Sequence, residues 1–542
     1  MVLNLGTIGQ RTACAARYWW TDDRHGLRAN VSQDPLARLR RTERREPRPR
    51  RVFPDERYRA VALDPLASDA NRLLADAATQ VYRAHAVVLA ERRVVESAVA
   101  GQMLSGLESL ADDSGGSPVH PLADVERRVV AAAGSAIHLG TAREEIALTA
   151  MRIVLRDRVL EMADAVLRLR TALASVASQH LTTLLLATSN GQVVQPTSLG
   201  HYLAGQLGPL TRTSARLQEA YARLNQSPLG AVSGMATAMP VLRGRQAELL
   251  GFDGPIESTF DALAGADVLH EIASVVALAA VELTRLLADL LFWARDDVGT
   301  MAPSDQYIHG NDAQPQRRDP LVLDYLRVRL LDLAGVPQQL VLLLAGRQML
   351  GGEASAYQTF MLVEGQLVKG IQALDLLGDV LTTSDVNRAL FAHRANRGFA
   401  TSSELADLLA IDFEIPRDEA VQVAERVVVE ATEAGGEATS LKTQVIDGIA
   451  LKLRGVEVGI EPEMLAKALS PKRFIERRDH PGGPAPSAVR ASLERETFAA
   501  RRDQSWLAER REVLATAAAG LESRAREIAA DPDTALRRSR ST

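Results

Sequence analysis

A chain of 542 residues can bury large cores and should form several domains. Its hydrophobic fraction of 46% is that of a globular protein, and aromatics at 4% beside abundant Ala, Leu, Val and Arg favour helices packed through aliphatic side chains. The formal charge of −5 argues against nucleic-acid binding by the body of the protein, and the one cysteine, Cys14, excludes an internal disulfide framework and a cysteine zinc cluster.

Residues 1 to about 66 stand apart. Arg38, Arg40, Arg41, Arg44, Arg45, Arg48, Arg50 and Arg51 crowd a short segment with Pro47, Pro49 and Pro54. Like charges repel and prolines break helices, so a disordered basic arm is expected. It is a solvated tail, the product of a start codon placed too early, or an arm for an anionic partner. From Asp69 to Leu110 the apolar spacing is helical, and it breaks before Asp112-Asp-Ser-Gly-Gly116. A second long run begins near Ala142. Met151, Val154, Leu155, Val159, Leu160, Ala163, Val166 and Leu167 recur at three and four, which predicts an amphipathic helix to about Leu186, ending at Thr188-Ser-Asn-Gly191.

The pattern repeats over 198–223, and Asn225 to Gly234 reads as a loop. Three more long helical segments follow at 267–295, 320–347 and 355–383, apolar on most faces, as helices at the centre of a bundle are. The longest apolar run, Ile272 to Val281, has ten residues between Glu271 and Glu282 and falls short of the roughly 18–20 of a membrane span. From about 395 the segments shorten, with Ser402-Ser-Glu-Leu and Pro416-Arg-Asp-Glu reading as helix starts. Pro481-Gly-Gly-Pro-Ala-Pro486 is a turn-rich break, and 488–529 reads as a charged helix facing solvent. No secretory signal is evident in residues 1–30, and a reducing, cytoplasmic compartment fits the cysteine usage. The expected division is a basic arm over 1–66, a helical domain over 67–143, a central bundle over 144–394, a C-terminal helical domain over 395–500 and a helical extension over 501–542.

The stretch from Gly299 to Pro320 lies between two of the long apolar segments. A connection of that length between packed helices is more often functional than not. Its residues, together with Gln195-Pro-Thr-Ser-Leu-Gly-His201, Leu217-Gln-Glu-Ala-Tyr-Ala-Arg-Leu-Asn-Gln-Ser-Pro-Leu-Gly230, Leu249-Leu-Gly-Phe-Asp-Gly254 and Leu469-Ser-Pro-Lys-Arg-Phe-Ile-Glu476 with the break at 481–486, resemble the argininosuccinate lyase family of the fumarase/aspartase superfamily. The resemblance covers roughly residues 70 to 498. It implies an all-α, three-domain fold with a central long-helix bundle and a homotetramer whose sites are shared between subunits. It also implies a β-elimination: a base removes a proton beside a carboxylate, and an amine leaves with help from an acid.

The groups that chemistry needs are nearly all changed. The family's signature loop Gly-Ser-Ser-x-Met-Pro-x-Lys-x-Asn-Pro is here Gly310-Asn-Asp-Ala-Gln-Pro-Gln-Arg-Arg-Asp-Pro320. Asn311 stands where the resemblance puts the base, and an amide takes up no proton at neutral pH. Arg317 keeps the charge of the family's lysine but not its compact ammonium, and Asp319 adds a negative charge where a carboxylate substrate would sit. The family's Thr-His-Leu-Gln is Ser189-Asn-Gly-Gln192, so Asn190 replaces the histidine and Gln192 remains. Its supporting glutamate is shortened to Asp324. Of Gly-Arg-Ser-Arg-Asn-Asp only Arg143 survives, in Gly140-Thr-Ala-Arg-Glu-Glu145. A substrate-contacting Gln and Lys are Ala356 and Thr359, and an arginine is Ala266.

Each candidate carries a plainer alternative. Tyr307 matches a substrate-contacting tyrosine or packs on a neighbour. Arg143 binds an anion or pairs with Glu144 or Glu145. Arg317 and Arg318 form an anion clamp or a solvated pair. His309 and Asp312 are substitute bases or polar loop residues. His201 reads as structural, and Asn190-Gly191 as a turn. His270-Glu271 lacks a second ligand four residues on, at Ser274, so no metal is expected there, and no cofactor elsewhere. The expected function is a repurposed C–N lyase or ligand-binding homologue acting on a small anionic, amino-acid-like or succinyl-type conjugate. The alternatives are a catalytically silent subunit partnering an active paralogue, and a genuine argininosuccinate lyase.

Overall fold

Leu74, Ala78, Val81, His85 and Val88 recur at three and four along α1 (Asp64–Glu91), and all of them are buried. The same rule builds the rest of this computed structural model, which describes residues 53–108, 120 and 122–538. Cys14, the arginine cluster and the break at 112–116 lie outside the described residues. By its contacts the chain divides into Met1–Glu56 and Arg57–Thr542. The architecture is that of the second unit, and helical structure, over Glu56–Tyr58 and Arg59–Leu63, already lies within the stretch assigned to the arm.

The helices in chain order are α1, α2 (Ser97–Glu108), α3 (Ala123–Ala133), α4 (Arg143–Gln179), α5 (Leu199–Gly205), α6 (Leu207–Leu224), α7 (Arg243–Leu249), α8 (Thr259–Ala264), α9 (Asp267–Trp293), α10 (Leu321–Leu344), α11 (Glu353–Thr383) and α12 (Arg388–Ala395). The shorter α13 (Ser402–Ile411), α14 (Arg417–Glu433), α15 (Thr443–Arg454), α16 (Pro462–Ala468) and α17 (Pro471–Glu476) follow, then α18 (Pro486–Ala530) and α19 (Pro532–Arg538). α4 packs on α11, α6 and α1, and α9 on α10 and α6, around one continuous aliphatic core. Burying each such leucine fully contributes about 1.5–3 kcal/mol. α13 to α16 close over a second core that includes Leu409, Val423, Val427 and Ile446. No described helix is long and apolar enough to cross a membrane.

Two expectations need correction. The second long helix stops at Gln179, not near Leu186. Leu184–Ser189 is strand β1, paired antiparallel with β2 (Gln192–Ser198). The run Leu184-Leu185-Leu186 is too short for its periodicity to decide between helix and strand, and the hairpin partner decides it. The charged helix α18 is not simply solvent-facing. Leu493, Leu507, Leu521, Ala525 and Ile528 are buried along one face, against α1, α2 and α4.

The C-terminal ends of α4, α9 and α11 lie together. β3 (Met301–Ala302), after α9, pairs with β6 (Asp385–Val386), after α11. Arg388 Nη2 donates to the Gln179 carbonyl at 3.2 Å. Trp293 is held edge-on between Tyr202, centroids 5.1 Å apart, and Phe391, 6.0 Å apart. Gly200 is required here, because a Cβ on it would lie 2.6 Å from the Ala177 carbonyl oxygen. That close approach explains the Ser-Leu-Gly-His motif structurally.

Candidate functional site

Most of the candidate residues project from this hairpin end. The β1–β2 turn is Asn190-Gly191, both with positive φ (52° and 74°), the backbone that two-residue hairpin turns favour. Asn190 is exposed at the tip and Gln192 starts β2, paired with Ser189. The long connection is not irregular throughout. β4 (His309–Gly310) pairs with β5 (Arg318–Asp319), which sets His309 opposite Asp319.

The candidate residues of this loop have structural partners. Asn311 Oδ1 accepts from the backbone N–H of Ala313 (3.1 Å) and Gln314 (3.0 Å), closing the turn that begins the hairpin loop. Arg317 Nε donates to Asp319 at 2.7 Å, so the two charges offset each other. Arg318 pairs with Asp305. Asp324 accepts from Arg327 at 2.6 Å on the first turn of α10, exposed. Tyr307 is half-buried against the main core. His309 and Asp312 are exposed. His201 is engaged on both ring nitrogens, with Thr197 Oγ1 at 2.8 Å and the Gly482 carbonyl at 2.9 Å, which is a structural role.

Arg143 is at the other end. It is the first residue of α4, whose 37 residues span roughly 55 Å. Around the first turns of α4, from Glu144 on, gather the 228–240 loop, α8 and the 345–357 segment. Glu145 is fully buried and accepts from Thr141 Oγ1 (2.5 Å), Ala142 N (3.2 Å) and Val232 N (2.5 Å), while burial pushes its carboxyl above the usual range. Val232 and Ser233 have positive φ (40° and 52°), strained for L-residues and worst for a β-branched one. The Glu145 carboxylate and a 3.0 Å bond from Ser233 Oγ to Glu144 hold the segment there. Ala356 lines a cavity at this end, with Glu144, Ser233 and Arg347. Thr359 does not reach it. Its side chain is buried and donates back to the Ser355 carbonyl at 2.7 Å. Arg347 and Ser233 carried no signal in the sequence, because neither belongs to a motif.

One chain therefore brings Asn190, Gln192, His309, Asn311, Arg317 and Asp319 to one end of the bundle and Arg143, Ala356 and the cavity to the other. A family model described as Lyase matches residues 77–335. The chain is 31% identical over 439 residues to an argininosuccinate lyase of Halobacterium salinarum, covering 78% of this chain and 87% of that one. It is 29% identical over 479 residues to an argininosuccinate lyase of Methanoculleus marisnigri, covering 85% and 95%. Among solved structures, a variant of EDDS lyase with bound fumarate superposes with a TM-score of 0.77 at 26% identity, covering 89% of this chain and 99% of that one. A 3-carboxy-cis,cis-muconate lactonizing enzyme from Pseudomonas putida shares the fold alone, with a TM-score of 0.64 at 20% identity over 83% of this chain and all of that one. The chain belongs to the fumarase/aspartase superfamily of lyases, as a distant homologue of the argininosuccinate lyases.

Proposed function

We propose that this protein is a repurposed C–N lyase, working as a homotetramer on an amino-acid or succinyl-type conjugate other than argininosuccinate. The observation that carries the reading is the use made of the changed residues. Asn311 closes a turn and Arg317 is held by Asp319, while the β4–β5 hairpin that presents them and the β1–β2 hairpin that presents Asn190 are both formed. A positioned acid or base contributes about 10²–10⁴ in rate, so a chain lacking both at their family positions gives up most of the family's advantage for that substrate.

The two half-sites are separated by the length of α4, so a complete site needs more than one chain. α10 supports the assembly. Its Leu323, Leu326, Leu330, Leu333 and Leu340 are buried, yet Val328 (58%), Leu331 (58%) and Leu342 (79%) are exposed on the same helix. An apolar face of that kind on a central helix suits helices of further copies. In such an assembly His309 and Asp312 are the loop groups proposed as substitute bases, since Asp305 and Asp319 are held by Arg318 and Arg317.

The test is fumarate release from argininosuccinate at high enzyme concentration. None is expected, and none from the double variant Asn311→Ser/Asn190→His, since Arg317, Asp319, Ala142 and Ala266 still differ and groups that act together are strongly non-additive. Clear turnover by the unmutated protein would instead make it a genuine argininosuccinate lyase with a substitute base. A silent-subunit role is favoured only by the exchange of both proton-transfer positions. It requires that no amine and fumarate pair react at all.

A further inference from the structure

The cavity at the Arg143 end has about 320 Å³ of space, at the small end of the range for ligand sites. Its apolar wall is assembled from separate parts of the chain. Leu148 and Met151 come from α4, Leu263 from α8 and Leu350 from the turn before α11. Four aliphatic side chains converging from three segments make a pocket, not the leftover face of one helix. Charges flank it. The Glu144 carboxylate accepts from Ser233, and Arg347 is held by two bonds to the Gly351 carbonyl, at 3.4 and 3.2 Å. Ala356, where the resemblance puts a substrate-contacting amide, contributes only a methyl group.

A ligand that satisfies this lining has an ammonium for Glu144, a carboxylate for Arg347 and an apolar group for the wall between them. A cationic side chain would lose its water against Leu148, Met151, Leu263 and Leu350, and the wall beside them adds only Ala147, Ala356 and the neutral Tyr357, with no second carboxylate to replace that water. We propose that this cavity is the subsite for the amine half of the substrate and that it takes an α-amino acid with an aliphatic or aromatic side chain. The inference rests on the C–N lyase reading above. In the elimination direction a base takes a proton from the carbon beside the succinyl carboxylate. The carbon–carbon double bond of fumarate forms as the C–N bond breaks, and the electron pair stays on nitrogen, which takes up a proton. In the reverse direction the N–H of the amino acid adds across fumarate.

The test uses the full-length protein with L-phenylalanine, L-leucine and L-arginine, each with and without fumarate. Calorimetry reads binding and mass spectrometry reads the N-substituted aspartate. Phenylalanine and leucine are expected to bind at least tenfold tighter than arginine, since one methylene in a hydrophobic pocket is worth about tenfold or more. Leu350→Glu, at a partly exposed turn position, should weaken phenylalanine at least tenfold with the melting temperature retained. Equal or tighter binding of arginine, or no binding of phenylalanine and leucine, overturns the subsite. Binding of the apolar amino acids with no product from any of the amines, a diamine included, keeps the subsite and sinks the lyase reading. Product from fumarate with arginine or a diamine, but not with phenylalanine or leucine, keeps the lyase reading and sinks the subsite.

Discussion

Arg170 is fully buried in α4 and bonds Glu496 (2.5 Å) and Asp503 (2.6 Å) of α18 and Ser214 (3.0 Å) of α6. Glu496 also accepts from Thr211 at 2.8 Å, and Asp503 from Gln218 at 3.0 Å. Removing the arginine leaves the buried Asp503 and the partly buried Glu496 without its guanidinium. Arg170→Ala should destabilise by about 3–5 kcal/mol, read by denaturant unfolding, and a loss under 1 kcal/mol would mean that water replaces the guanidinium. His85 is the second residue-scale case. Its Nε2 donates to the Leu139 carbonyl at 3.0 Å, so Nδ1 accepts from Gln246 at 2.9 Å and the ring is neutral. Burial lowers its pKa to about 4 from 6.5. Below pH 6.5 the unfolded chain takes up a proton that the folded chain refuses. The stabilisation is complete above pH 6.5 and is lost as pH falls towards 4, by up to about 3 kcal/mol. The acid limb of stability against pH should be shallower in His85→Gln than in the parent. Asn311 is legible at this scale only by half. The sequence resemblance puts an amide where the family has its base, but that this amide caps a turn is a matter of geometry.

At the scale of elements, α10 carries Pro337 in its interior, where the missing N–H deprives the Leu333 carbonyl of its helical donor. Gln366 of α11, itself buried, supplies the replacement. Its Nε2 donates to the Leu333 carbonyl at 2.8 Å and to the Ala273 carbonyl of α9 at 3.0 Å. One side chain thus ties three central helices. Gln366→Leu should cost about 1–3 kcal/mol, and Pro337→Ala should recover part of it by restoring a helical N–H for Leu333. Strictly additive losses in that double-mutant cycle would mean that the two residues do not share the carbonyl. The length of α10 followed from its apolar spacing, but the Pro–Gln compensation joins positions 29 apart and leaves no trace in any local pattern.

At the scale of the molecule, the exposed face of α10 is where assembly is expected. Light scattering at micromolar concentration should give four times the 58.6 kDa chain mass. Leu331→Glu/Leu342→Glu should shift it to smaller species, because a charge on each of two apolar contact positions is buried without a partner in the assembly. A parent protein that runs as a monomer would also remove the shared site.

By itself the sequence determined the helical class, the approximate positions of the long helices and the family resemblance. These rest on periodicity and residue identity, which are local. Only the tertiary structure decided that Leu184–Ser189 is a strand, because a short apolar run takes its conformation from its partner. The buried face of α18, set by Arg170 and the neighbouring helices, was likewise a tertiary outcome. So was the apolar cavity. Leu148, Leu263 and Leu350 belong to no motif along the chain and Met151 only to the periodicity of α4, and it is the convergence of α4, α8 and the turn before α11 that brings them to one cavity.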